Sequence, residues 1–237
     1  LGVAVFVGEA FSDVEVQGTD LAAGGGASLP VAARRSAAAG LTGFEWAVGI
    51  PGSIGGAVRM NAGGHGADMA SVLVRARVVD FERGAAAWRP TSALALGYRR
   101  SNLRPTDVVV RAEVRCAPGD RTEAEDRINE IVRWRRVNQP GGQNAGSVFT
   151  NPARAHAGVL IEQAGLKGFR LGTAQVSPKH ANFIQADEGG SADDVHALID
   201  HVRRVVADRT GVELRTEIRL IGFGPTYPPG MRGGSGG

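Results

Sequence analysis

The sequence predicts an α+β protein, and three observations carry that reading. Strand-like and helix-like segments mix without a regular βαβ rhythm. No internal repeat is present. After Pro118-Gly119 the pattern changes from short β-branched runs to longer helical periodicity. At 237 residues the chain suits one large domain or two smaller ones. The Pro-Gly pair marks the expected boundary, giving a first domain over 1–118 and a second over 119–213. A closing strand over 214–224 and a tail over 225–237 follow.

Taken in order, residues 1–17 alternate β-branched runs with glycine, and Leu1 to Val7 reads as a strand. This start lacks the basic region and cleavage site of a signal peptide. Opening mid-strand without methionine, the chain reads as having lost sequence upstream. Ser28-Leu29-Pro30 opens a helix to Ala39, with Ser28 as N-cap, Pro30 in the first turn and Gly40 just past the end. A strand over 72–81 turns through Glu82-Arg83-Gly84 into 85–88, and another runs from Val108 to Cys116. Residues 120–136 read as a helix with a Thr122-x-x-Glu125 capping box and Ile128, Ile131 and Val132 inward. A polar knot at 144–151 is closed by Pro152; a short helix over 157–164 and strands near 168–176 and 181–186 come next. Ser191-x-x-Asp194 opens an amphipathic helix with Val195, Leu198, Ile199, Val202, Val205 and Val206 on one face, ended by Gly211. Residues 212–221 alternate apolar and charged side chains and read as a strand.

Composition narrows the function classes. Hydrophobic residues make up 43% and charged residues 22%, with a net charge of only +3. The densest basic run is Arg133-Trp134-Arg135-Arg136, so the continuous basic stripe that nucleic acid requires is missing from the sequence. Cys116 is the single cysteine, which rules out an internal disulfide and points to a reducing cytoplasm. No apolar run approaches the ~20 residues of a membrane span. The five histidines show neither H-E-x-x-H nor paired-cysteine spacing, so no metal site is expected.

Residues 49–66 read GIPGSIGGAVRMNAGGHG, seven glycines in eighteen. Glycine this dense is costly in chain entropy, so the backbone must approach something closely or adopt positive φ. One reading is a tight irregular connection. The other is a loop whose exposed N–H groups meet a phosphate or a flat cofactor. The segment is not a Walker A loop, lacks Rossmann spacing, and has Pro51 where a nucleophile elbow needs its first glycine. The formal G-x-S-x-G match, Gly233 to Gly237, falls in the tail.

This loop resembles the flavin-contacting segment of the UDP-N-acetylenolpyruvoylglucosamine reductases. Tyr98-Arg99-Arg100-Ser101 is similar to that family's Tyr-Arg-x-Ser motif. Gln139-Pro140 with Asn144-Ala145-Gly146-Ser147-Val148-Phe149 and Asn151-Pro152 resembles its catalytic serine motif. Ala164-Gly165-Leu166-Lys167-Gly168, Ser177-Pro178-Lys179-His180-Ala181-Asn182-Phe183 and Glu217-Ile218-Arg219 follow in the family's order. The resemblance implies a two-lobed FAD-binding fold, with 1–118 as the second flavin lobe, 119–213 as the substrate domain and 214–224 returning toward the flavin lobe. The family's amino-terminal flavin lobe is missing from these residues. The short spacing from Ser101 to Ser147 suits the form that lacks an inserted tyrosine loop. His65 stands where many relatives have tyrosine, and Thr150 where many have lysine.

The implied reaction uses NADPH and FAD to reduce UDP-N-acetylglucosamine enolpyruvate to UDP-N-acetylmuramate for peptidoglycan. Hydride reaches the β-carbon, leaving an enolate-like species that needs charge stabilisation and a proton on the α-carbon. The resemblance makes Arg99 the clamp on carboxylate or enolate, since a guanidinium can bind bidentately. Ser147 becomes the proton donor. Glu217 polarises the substrate carboxylate or pairs with Arg99, although alternation alone makes it one rung of a solvated charge ladder. Ile50, Pro51, Gly52, Ser53, Ile54, Gly55, Gly56, Asn61 and Gly63 are the expected flavin contacts. Tyr98, Arg99, Arg136, Asn151 and Lys179, with Arg135 nearby, are the expected contacts of the nucleotide sugar. The implied protein is a cytoplasmic monomer that binds this small molecule and neither nucleic acid nor membrane. Two rivals remain: another FAD oxidoreductase of the same fold, and a nucleotide-sugar binding fragment without turnover.

Overall fold

The computed structural model describes residues 7–223. The strand expected at the start and the tail over 225–237, with its Gly233–Gly237 match, therefore fall wholly or largely outside the described residues. Two compact units divide after Val137.

The first unit is built on an antiparallel sheet with strand order β1-β2-β8-β6-β7. These strands are β1 (Val14–Gln17), β2 (Asp20–Gly24), β6 (Leu73–Asp80), β7 (Ala85–Pro90) and β8 (Asp107–Arg115). Two two-stranded pieces accompany them: β3 (Leu41–Thr42) with β9 (Ala117–Pro118), and β4 (Gly63–Gly64) with β5 (Ala67–Asp68). Along β6 and β8 burial largely alternates, as expected of strands with one face on a core. The β6–β7 turn is held by Asp80, whose Oδ1 accepts from the amides of Glu82 and Arg83 at 3.0 and 3.2 Å. Helix α1 (Leu29–Ala38) starts at Ser28 and is followed by Gly40 at φ 72°, as the sequence predicts. The Ser28 hydroxyl makes no capping bond, however; its backbone bridges to Ser53 instead.

Helix α2 (Ile54–Met60) lies within the glycine-rich segment, so that stretch is not only loop. Helix α3 (Arg121–Asn138) starts one residue after Asp120, whose Oδ1 accepts from the Glu123 amide at 3.0 Å. The predicted Thr122/Glu125 box does not form. With Asp120 capping the helix, Thr122 lies inside its first turn and is no longer an N-cap, a carboxylate is favoured at a helix start, and Glu125 pairs with Arg121 at 2.7 Å. Ala124, Ile128 and Ile131 are buried in the first unit's core. That burial is why the division falls after Val137 and not at Pro118-Gly119. Cys116 is buried in the same core, and burial pushes its thiol up to about 11.

The second unit carries the antiparallel sheet β10-β13-β12-β11, formed by β10 (Gln143–Ser147), β11 (Arg170–Leu171), β12 (Ala174–Val176) and β13 (Phe183–Ala186). Helices α4 (Ala157–Gln163) and α5 (Ala192–Thr210) complete its core. α5 follows its sequence pattern closely. Ser191 Oγ accepts from the amides of Asp193 and Asp194, Gly211 ends the helix at φ 69°, and Leu198, Ile199, Val202 and Val206 are buried.

The strand expected over 212–221 does not form. One bridge forms there, Phe149 with Thr216, flanked by Glu217 N to Val148 O at 2.8 Å and Thr150 N to Arg215 O at 2.9 Å. Extending this ladder would need the amides of Val148 and residue 152. The first already donates to Asn182 O at 2.8 Å, and Pro152 has none. The apolar set of this segment packs on the second unit's own core through Val212, Leu214, Ile218 and Leu220.

Candidate functional site

In the first unit the glycines of 49–66 fall into two kinds. A Cβ on Gly55 would sit 2.9 Å from the carbonyl oxygens of both Gly25 and Val109, and one on Gly63 would lie 2.5 Å from Asp68 Cβ. Those two let backbone pack on backbone. Gly52, at φ 150°, and Gly56 are exposed; a Cβ on Gly52 would meet nothing within 4 Å, and one on Gly56 only Ser53 Oγ at 3.4 Å. Backbone bonds join this segment to 25–29: Leu29 N to Gly52 O, Ile54 N to Ala27 O and Gly55 N to Gly25 O, at 3.0, 2.9 and 2.8 Å. Ser53 Oγ accepts from Gly56 N at 3.2 Å and caps α2. Ile54 is fully buried and Ile50 half-buried against the core, while Pro51 is exposed. The exposed backbone at Gly52 and Gly56, which carries no side chain, suits close approach of a flat ring beside Pro51, so the residues fit a flavin.

Asn61, expected to touch the cofactor, is 3% exposed and its amide is used inside the protein. Nδ2 donates to Asp68 Oδ2 at 2.9 Å and to Gly97 O at 3.2 Å, and Oδ1 accepts from Ala70 N at 2.8 Å. Through Gly97 it ties the glycine-rich segment to the Tyr98-Arg99 turn. In that turn Gly97 and Arg100 exchange backbone hydrogen bonds of 3.1 Å. Arg99 Nη2 donates to Gly63 O at 3.1 Å, and the guanidinium lies 5.2 Å from the centre of the exposed Tyr98 ring. Ser101 Oγ donates to Arg59 O at 2.7 Å, satisfying a carbonyl at the end of α2. Among the described residues, the non-glycine positions at positive φ are Asn61, His65, Ala95 and Arg99, all around this one feature. Backbone strain concentrated in this way is characteristic of functional sites.

The His65 ring meets Trp134 edge-on at 5.1 Å. Burial, then Arg127 and Arg135, hold its imidazole below the ordinary value. Burial also lowers the Arg135 guanidinium, and Arg136 lies exposed near the end of α3.

In the second unit Ser147 ends β10 opposite Phe183, after a register break between Asn144 and Ser147. Asn144 Oδ1 accepts from Gly146 N at 3.0 Å, and Gly146 takes φ 79°, which side chains resist. A bulge of this kind re-aims the residue that follows it, and bulges are over-represented beside active sites. The two residues after Ser147 are held by Asn182, a member of the Ser177–Phe183 motif whose own spacing gives no sign of that contact. Glu217 is half-buried, and its amide bonds to Val148, next to Ser147 in the chain. Asn151 Oδ1 accepts from Ala157 N at 3.0 Å, so this expected substrate contact also caps α4. Lys179 is exposed on a turn whose amides at 179 and 180 donate to the buried Ser177 Oγ.

The run Gly24-Gly25-Gly26 also packs backbone against backbone. A Cβ on Gly25 would lie 2.1 Å from Val109 O, and three consecutive glycines were the available signal. No group of three or more metal-ligating side chains occurs among the described residues, and none of their helices is long and apolar enough to cross a membrane.

Comparison with known proteins gives a consistent picture. Residues 137–221 match the UDP-N-acetylenolpyruvoylglucosamine reductase C-terminal domain family, and residues 5–88 match the FAD binding domain family. The chain is 40% identical over 224 residues to UDP-N-acetylenolpyruvoylglucosamine reductase of Anoxybacillus flavithermus, covering 93% of this chain and 74% of that one. It is 46% identical over 224 residues to the protein of that name from Heliobacterium modesticaldum, covering 93% and 71%. The crystal structure of UDP-N-acetylenolpyruvylglucosamine reductase from Thermus caldophilus is similar with a TM-score of 0.78 at 36% identity, covering 89% of this chain and 74% of that one.

Proposed function

The chain belongs to the UDP-N-acetylenolpyruvoylglucosamine reductase family, and we infer that it reduces UDP-N-acetylglucosamine enolpyruvate to UDP-N-acetylmuramate in peptidoglycan synthesis. NADPH is the reductant and FAD the cofactor. Bound FAD would supply the hydride chemistry that links NADPH to the β-carbon of the enolpyruvyl group. The chain's own residues must then hold the developing anion and deliver a proton. Pro51, Gly52, Ser53 and Gly56 offer the flavin their backbone, while Ile50, Ile54, Gly55, Asn61 and Gly63 shape that surface from behind.

Arg99 clamps the substrate carboxylate and the enolate, because its planar fork matches two oxygens and Gly63 O fixes one of its nitrogens. Ser147 gives its hydroxyl proton to the α-carbon. Glu217 polarises the substrate carboxylate. Tyr98, Arg136, Asn151 and Lys179 contact the nucleotide sugar, Asn151 through the amide nitrogen opposite its capping oxygen. One chain carries every assigned group, so a monomer suffices. The unpaired Cys116 suits a reducing cytoplasm.

The observation that carries the Ser147 assignment is the bulge at 144–147, which spends an Asx turn and a positive-φ glycine on aiming one hydroxyl. Stopped-flow absorbance on the flavin-loaded protein tests it. Ser147→Ala leaves flavin reduction by NADPH nearly intact and slows reoxidation by the enolpyruvyl substrate ~10²–10⁴-fold, the usual contribution of general acid catalysis. Equal slowing of both phases would return Ser147 to the role of a turn residue.

A further inference from the structure

Ser147 sits at a register break and follows a glycine, so the bulge alone leaves its backbone poorly braced. The bracing comes from what holds the next two residues. Val148 and Phe149 are each 2% exposed, and their four backbone polar groups are all satisfied. Val148 N donates to Asn182 O at 2.8 Å, and Val148 O accepts from Glu217 N at 2.8 Å. Phe149 N donates to Asn182 Oδ1 at 3.0 Å, and Phe149 O accepts from Asn182 Nδ2 at 2.8 Å. One residue therefore supplies three of the four partners. Asn182 is itself 5% exposed, and its backbone N–H donates to His180 Nδ1 at 3.2 Å.

We propose that Asn182 is a positioning residue for Ser147: its carboxamide takes the place of a neighbouring strand and holds Val148-Phe149, and so the preceding hydroxyl, in the orientation that proton delivery needs. The inference rests on the reading of Ser147 as proton donor. An amide side chain is required because it offers a donor and an acceptor side by side, matching the carbonyl and amide of one residue. Glutamine places that pair a methylene too far, and a carboxylate has no donor.

The carboxylate case makes the test. In Asn182→Asp the ionised side chain accepts from Phe149 N but faces Phe149 O with no proton; the protonated acid restores both bonds. Burial disfavours the charged form and raises the pH at which that acid forms. Single-turnover reoxidation by the enolpyruvyl substrate, each rate taken relative to wild type at the same pH, is expected to fall at least about tenfold at about pH 8.5 and to recover to within about threefold at about pH 5.5. Asn182→Ala stays slow at both pH values, and reduction by NADPH changes less than about threefold in either variant. A merely structural role predicts equal slowing of both half-reactions, and an absence of recovery with acid would show that the two bonds to Phe149 do not govern the rate; either result overturns the proposal.

Ser147→Ala run alongside separates the two claims. If it is slow while Asn182→Ala is fast, only the Asn182 assignment falls. If Ser147→Ala is itself fast, the proton-donor reading falls and takes this one with it. Should Asn182→Ala fail to fold, Asn182→Asp still decides, by slowing that is confined to reoxidation and recovers with acid.

Discussion

Replacing Gly56 by alanine separates a glycine kept for a ligand from one kept for packing. Gly56 is exposed, lies inside α2, and an added Cβ would meet only Ser53 Oγ at 3.4 Å, an ordinary contact. Nothing in the folded protein resists the methyl. Alanine gains about 0.8–1 kcal/mol over glycine in a helix interior and less in a first turn such as this one, so the variant should be as stable as wild type or more stable by less than that amount. If the flavin lies on this backbone, the same methyl intrudes on the ring, and losing about 1.4 kcal/mol of binding weakens Kd tenfold. Gly55→Ala is the counterpart. Its Cβ would lie 2.9 Å from two backbone carbonyl oxygens that cannot swing away. Overpacking of that kind costs about 1–3 kcal/mol. Urea unfolding gives the stabilities, and calorimetric FAD titration of each folded variant gives the affinities. A Gly56→Ala protein of unchanged stability that binds FAD as tightly as wild type would refute the placement of the flavin at this surface.

Two further outcomes are expected. Arg99→Lys keeps the charge and loses the planar fork, so flavin reoxidation by the enolpyruvyl substrate should slow ~10²–10³-fold; turnover within a factor of a few of wild type would remove Arg99 as the anion clamp. The Arg104 guanidinium, hydrogen-bonded to Asp107, leads the groups that hold that carboxyl down to about 2. An unfolded aspartate titrates near ~3.9, so the stability Asp107 contributes is fully present above about pH 4 and is lost as pH falls through about 2. Unfolding free energy should decline across that window, and Arg104→Ala should flatten the decline; an unchanged slope would show that other carboxylates carry it.

Much of the fold was legible because local rules wrote it. Ser191 and Gly211 bound α5, the turn after β6 carries Asp80 and Gly84, and apolar periodicity marks the buried face of α5. Each of these depends on residues within a turn or two of one another. The family motifs were legible for a different reason: residue types and order survive in a sequence whether or not their partners can be seen.

The sequence by itself therefore determined most element types outside the glycine-rich segment and 212–221, the family and the identities of the candidate chemical groups. Tertiary structure decided what each group is used for. It assigned α3 to the first core, where the Pro-Gly pair had implied the second, because burial depends on the surface a helix meets and not on where composition changes. It stopped the 212–221 ladder at one bridge, since strand pairing needs free amides on the partner as well as alternation on the strand. It divided the glycines into packed and open, committed the Asn61 amide to Asp68 and Gly97, and brought Asn182 against Val148 and Phe149. Periodicity and spacing record how much of a residue is buried and which neighbours lie close in the chain. The partner of a hydrogen bond tens of residues away is set only when the chain closes on itself.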